Sequence, residues 1–130
     1  MANVVNFTLT LGLTATRAHP SMSLSWTLPQ TGTNYVQETQ IIGTAVVALD
    51  IGTAGSVTSL GWLLVENLDT THSVTVYSDS GGTNKLASIP AAPSASSTSG
   101  AIVMVPASTT TIYVNASGAG TQIQLLAIET

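Results

Sequence analysis

The sequence predicts an all-β protein: an antiparallel β-sandwich, jelly-roll-like, preceded by an N-terminal two-stranded hairpin arm. Three observations carry that expectation. Apolar residues recur at every second position in several short windows, as a strand with one buried face requires, and no window sustains a helical period. β-Branched residues are abundant throughout the chain, and their stiff side chains suit a pleated surface. Clusters of Gly, Pro, Asn, Asp and Ser separate the windows at short intervals, as in sandwiches and barrels.

Val5, Phe7, Leu9 and Leu11 alternate with Asn6, Thr8 and Thr10, which defines a first strand with one apolar face. Gly12 to Pro20 breaks the period and reads as a longish loop. Met22, Leu24, Trp26 and Leu28 then alternate with serines and Thr27, a second amphipathic strand. An isolated two-stranded hairpin is marginal in water, so its apolar face needs a cover. Phe7, Leu9, Met22, Leu24 and Trp26 are therefore the candidate assembly contacts. Pro29 to Asn34 is a linker by composition. It divides the chain into an arm, residues 1–32, and a sandwich core domain, residues 33–130.

Tyr35 to Ile42 reads as a partly exposed strand and Ala45 to Leu49 as a short buried one, ended by the glycine-containing turn Asp50 to Ser56. Leu60 to Ser78 is the expected nucleus of the fold and reads as a β-hairpin. Leu60, Trp62 and Leu64 alternate with Gly61, Leu63 and Val65, so both faces of its first strand are apolar. Asn67 to Thr71 supplies side chains that bond their own backbone in a turn, and Val74 and Val76 resume beyond it. Trp62, Leu64, Val74 and Val76 are the expected core, with Trp62→Ala the most damaging change in this stretch.

Ser78 to Asn84 is a second turn, Lys85 to Ile89 a brief strand, and Pro90 to Gly100 a surface loop by composition. Ala101 to Val105 is a short apolar strand stopped by Pro106, and Thr110 to Asn115 alternates again. In the last strand Ile123 and Leu125 share one face while Leu126 and Ile128 are out of phase. A β-bulge near Leu125 or burial on both sides accounts for that.

Composition narrows the function. Charged residues make up 6% of the chain and the net charge is −4, against a usual charged fraction of about 25%. Ser, Thr, Asn and Gln then carry solubility and repel neighbours weakly, which suits a surface meant to be covered by partners. Arg17 and Lys85 are the only basic residues beside two histidines, so no nucleic-acid partner is expected. Polar residues punctuate every apolar patch, so no membrane association is expected either. The N-terminus lacks the pattern of a signal peptide, implying synthesis in the cytoplasm. With no cysteine, thiolate catalysis and Cys-ligated zinc are excluded.

Candidate chemistry is sparse. Ser78-Asp79-Ser80-Gly81-Gly82 resembles the segment around a serine-protease nucleophile, but that mechanism needs a histidine base held by a carboxylate, and only His19 and His72 are available. An ordinary polar turn explains the same letters. Asp50, Asp69 and Asp79 fit no calcium-loop spacing. Tyr35, Tyr77 and Tyr113 suit either sugar stacking or the rim of a core. No catalytic residue, cofactor or metal is expected, and no enzymatic activity.

From Gly52 to Ser78, and again from Ile112 to Thr130, the chain resembles small virion proteins of tailed bacteriophages. The residues that carry this are the Gly61-Trp62 strand running into Glu66-Asn67-Leu68-Asp69-Thr70-Thr71-His72, then Val74-Thr75-Val76, and the closing strand Gln122 to Glu129. The resemblance implies a β-sandwich that decorates or cements the outer capsid, commonly as a homotrimer between subunits of the major capsid protein. It places the protein in the virion after synthesis in the host cytoplasm. The alternative within the same class is a tail or head fibre adhesin whose loops, Ser78 to Asn84 and Pro90 to Gly100, touch host-surface glycans.

Overall fold

The structure, a computed structural model, describes residues 3–12, 21–30, 32–52, 57–92, 102–106 and 111–129. Within the strands at 3–12, 21–30 and 102–106, it extends to the side chains of Asn6, Thr8, Ser23, Ser25 and Thr27 alone. The expected loops Gly12 to Pro20 and Pro90 to Gly100 lie mostly outside the described residues.

The described residues form β1 (Asn3–Gly12), β2 (Ser21–Gln30), β3 (Tyr35–Ile42), β4 (Val47–Ala48), β5 (Leu60–Asn67), β6 (Val74–Tyr77), β7 (Lys85–Ile89), β8 (Ile102–Pro106), β9 (Tyr113–Ala116) and β10 (Thr121–Glu129). From β3 onward the pairing follows one rule. β3 pairs with β10, β4 with β9, β5 with β8 and β6 with β7, all antiparallel. The chain therefore doubles back on itself as one long ribbon whose tip is the turn between β6 and β7. Two further pairings, β10 with β5 and β6 with β9, wind the ribbon into two sheets, ordered β3-β10-β5-β8 and β4-β9-β6-β7. β1 and β2 form a separate two-stranded sheet.

The two larger sheets face each other across one apolar core, so the fold is a β-sandwich. Leu63 and Val65 of β5 and Ile123 and Leu125 of β10 meet Val74 and Val76 of β6 and Val114 of β9 in a single cluster, all 0% exposed. Alternation makes this possible: in β5, β6, β9 and β10 these aliphatic residues sit at the alternate positions that turn inward.

Several expectations change here. Leu60 to Ser78 is not a hairpin, because β5 and β6 lie in different sheets. The connection between them crosses from one sheet to the other, and each strand takes its neighbours from farther along the chain. Trp62 and Leu64 are half-buried on the outer face of their sheet, while Leu63 and Val65 take the core side. Val74 and Val76 are fully buried. The stretch Ala45 to Leu49 buries only Leu49; β4 is a two-residue edge strand with Val47 43% exposed. β10 runs unbroken through Leu125, its register shift against β5 falling between Ile128 and Glu129.

The crossing from β5 to β6 is held by Asn67, which is 0% exposed. Its amide nitrogen donates to the carbonyls of His72 and Pro90, each at 2.8 Å, and its oxygen accepts from Asp69 N at 3.0 Å. Asp69 continues the turn, accepting from Thr71 N at 2.7 Å and His72 N at 2.8 Å. A buried polar group left without a partner costs about 1–3 kcal/mol, so Asn67→Ala, which orphans more than one, is expected to lose about 3 kcal/mol. Urea unfolding measures this; an unchanged midpoint would show that water replaces the amide without penalty.

Candidate assembly surface

The outer face of the β3-β10-β5-β8 sheet is built by the residues that alternation turns away from the core. Register aligns them in rows across the strands. Tyr35, Ile128 and Trp62 form one row, with Pro106 at the next register position. Gln37, Leu126 and Leu64 form the second, continued by Met104, and Thr39, Gln124 and Glu66 the third. The first two rows are mainly apolar, and the third is polar across β3, β10 and β5. Trp62, Leu64 and Leu126 are each half-buried and Tyr35 is 64% exposed, while Ile128 between Tyr35 and Trp62 is buried at 6%. Ile41, farther along β3, is 76% exposed. Single exposed apolar residues are ordinary, but half-buried apolar residues in adjacent rows, flanked by exposed Tyr35, suit a surface that meets a partner.

Phe7, Leu9, Met22, Leu24 and Trp26 lie on β1 and β2, and their side chains are outside the described residues. Their backbone register is defined. Phe7 is opposite Trp26, Leu9 opposite Leu24 and Leu11 opposite Met22. The intervening Asn6, Thr8, Ser23, Ser25 and Thr27 are exposed, and Thr27 Oγ1 donates to Asn6 Oδ1 at 3.3 Å. The pleat thus puts every one of these apolar positions on the face opposite the exposed polar one.

Between β2 and β3 the chain is fastened to Glu129. The carboxylate accepts from Thr58 Oγ1 at 2.7 Å, Thr58 N at 3.2 Å and Asn34 N at 3.3 Å, while Glu129 N donates to Asn34 O at 3.0 Å. Gly32 passes so close that a Cβ there would overlap the Glu129 side chain. The neck between β2 and β3 is therefore pinned to the end of the last strand. The sequence reading missed this role, because Glu129 closes an apolar strand and its partners are distant in sequence.

Hydrogen bonding to Thr58, first through its hydroxyl and then its N–H, holds the Glu129 carboxyl below its ordinary value. Thr83 and Asn84 do the same for Asp79, and the N–H groups of Thr71 and His72 for Asp69. Because these folded-state values are depressed, the stabilisation is complete above the ordinary carboxylate values near 4 and is lost as pH falls through the lower folded ones. The melting temperature should accordingly decline below about pH 4, and Glu129→Gln should make that decline shallower. An identical acid profile in the variant would remove Glu129 from the linkage.

The remaining motifs resolve as turns. At the ribbon tip Asp79 accepts from Gly81 N, Thr83 N, Thr83 Oγ1 and Asn84 N at 2.6–3.2 Å, and Gly82 adopts φ +66°. Ser80 is exposed beside it, and His72 is at the other end of β6, where its Nδ1 lies 3.3 Å from Asp69 Oδ2 and its ring lies against Gly118. Ser80 and His72 are thus not brought together. Tyr77 donates its hydroxyl to Asn115 Oδ1 at 3.2 Å, and Tyr77 and Tyr113 are half-buried register partners. Among the described residues no three His, Asp or Glu side chains gather where they could hold a metal.

Compared with models of protein families, with curated proteins and with solved structures, the chain matches none.

Proposed function

We propose that this chain is a structural protein of a tailed-bacteriophage virion, a cement or decoration protein that binds the outer capsid surface and works by occupying surface rather than by chemistry. In this reading residues 33–130 are a jelly-roll domain and residues 1–32 an arm that lends its apolar face to a neighbouring copy or to the major capsid protein. The observation that carries it is the pair of apolar rows on the outer sheet face, in a chain whose charged fraction is 6%. Repeated at symmetric sites, modest contacts of this kind stabilise a shell by mass action. Symmetric closure as a homotrimer limits the growth that a weakly charged surface otherwise permits.

The pairing order supports the jelly-roll part of the proposal. Strands joined first to last, inward to a tip, and distributed alternately over two sheets are what two interlocked Greek keys produce. Jelly rolls serve in viral capsids and in lectins alike, so the exposed tip around Asp79 keeps a glycan-binding fibre module as the second reading.

Incubation with empty heads separates the two. Saturable recovery on heads at a fixed ratio to the major capsid protein supports cementing, with hundreds of copies per virion. A glycan-array signal from the purified protein, with only a handful of copies per virion, would replace cementing by adhesion.

A further inference from the structure

We propose that the open edge of β3 is a two-fold interface, at which β3 of a second copy of this chain adds as an antiparallel strand and joins two β3-β10-β5-β8 sheets into one. The inference goes beyond the assembly reading above, because a two-fold contact links copies that belong to different threefold rings and forms without any virus particle.

Among the described residues the two larger sheets end in β3 and β8 and in β4 and β7. All of these edges but β3 are built against pairing. β4 has two residues, β7 begins at Lys85 and is followed by Pro90, and β8 has five residues and closes on Pro106. Short strands, lysine and proline are what keep an edge from adding a strand. β3 has eight residues without Gly, Pro or Lys, and its register against β10 is unbroken. β2, the strand before it in sequence, pairs with β1 instead.

The ladder fixes which backbone groups this edge presents. The register that sets Ile128 opposite Tyr35 continues to Glu129 and Asn34, where Glu129 N donates to Asn34 O at 3.0 Å. Hydrogen-bonded positions recur at every second residue of an antiparallel pair. Val36, Glu38, Gln40 and Ile42 therefore turn their N–H and C=O groups to β10, and Gln37, Thr39 and Ile41 turn theirs to the open edge.

Side chains select the occupant and its register. Val36, Glu38, Gln40 and Ile42 lie on the core side of β3, and Tyr35, Gln37, Thr39 and Ile41 on the outer side. A strand apolar at every second residue, as β1 and β2 are in sequence, would set apolar positions against Glu38 and Gln40 or against Gln37 and Thr39. A second β3 fits better. Centred with Thr39 opposite Thr39, it sets Val36 opposite Ile42, Glu38 opposite Gln40, and Gln37 opposite Ile41, which is 76% exposed in one copy. On the core side apolar residues then meet at both ends and each carboxylate meets a neutral amide. A slip of two residues sets Glu38 opposite Glu38 in one direction and opposite Ile42 in the other, so the one charge of the strand fixes the register. Gln37, Thr39 and Ile41 of the two copies exchange roughly six backbone hydrogen bonds. The ladder stops there, because Gly43 O already accepts from Ala116 N at 2.8 Å.

The chain contains no cysteine, so engineered thiols report the register. Opposed hydrogen-bonded residues lie about 5.5 Å apart at Cα, within disulfide reach. Thr39→Cys is expected to oxidise to a covalent dimer about tenfold faster than Gln37→Cys or Ile41→Cys alone, while those two chains, mixed, link to each other. Thr39→Pro removes an N–H that points only outward, so it should weaken dimerisation in analytical ultracentrifugation by about tenfold and leave the urea midpoint nearly unchanged. Thr39→Lys repeats the test if Thr39→Pro does not fold. A Thr39→Cys chain that stays unlinked at micromolar concentration, or links no faster than Gln37→Cys, overturns the proposal. So does a folded Thr39→Lys chain that dimerises as tightly as the unaltered one. A chain carrying both Leu9→Cys and Thr39→Cys that closes on itself overturns it in favour of the arm as the occupant of the edge.

Discussion

Leu63→Ala should lower the free energy of unfolding by about 2–5 kcal/mol, the range for emptying a packed leucine site, while Trp62→Ala costs distinctly less. Leu63 is 0% exposed and sits in the cluster that both sheets share, so its loss leaves a cavity that neighbours on two layers must relax to fill. Trp62 projects from the adjacent position to the other face, where part of its ring is already in water. Its removal should act on association instead, lowering the native mass with little change in the urea midpoint. Equal destabilisation by the two substitutions, measured by urea unfolding of the dissociated protein, would mean that both faces of β5 are interior.

Removing residues 2–28 should leave a sandwich that still unfolds cooperatively but no longer occupies heads. No strand of the sandwich takes β1 or β2 as a neighbour, and the core cluster of the described residues draws on β3 onward, so the truncation deletes none of those core side chains. The Glu129 contacts to Thr58 and Asn34 lie beyond the cut and persist. Urea unfolding and co-sedimentation with empty heads provide the two readouts. Unchanged occupancy by the truncated chain would show that the arm is not the attachment device. A truncated chain that collapses to an unfolded ensemble would show instead that β1 and β2 cover part of the sandwich itself.

Strand identity was largely legible in the sequence because period-two alternation is local. The runs at Tyr35 to Ile42, Lys85 to Ile89 and Gln122 to Glu129 each appear as strands at or near the expected boundaries. Turn chemistry was legible for the same reason: Asn67 and Asp69 bond backbone N–H groups two or three residues on. The candidate surface was legible only in part. The out-of-phase Leu126 and Ile128 fitted either a bulge near Leu125 or a strand apolar on both sides, and the unbroken register through Leu125 excludes the bulge there, whereas nothing local distinguished Trp62 from Leu63 as the inward residue.

By itself, then, the sequence determined that the protein is all-β, where its strands run, which turns carry their own hydrogen bonds, and that its surface is almost without charge. Tertiary structure alone decided which strands pair, which side of β5 faces inward, and that Glu129 fastens the neck. The physical reason is the reach of each interaction. Alternation and turn bonding act within a few residues, while sheet pairing joins β3 to β10 across most of the chain and is selected by how two layers pack together.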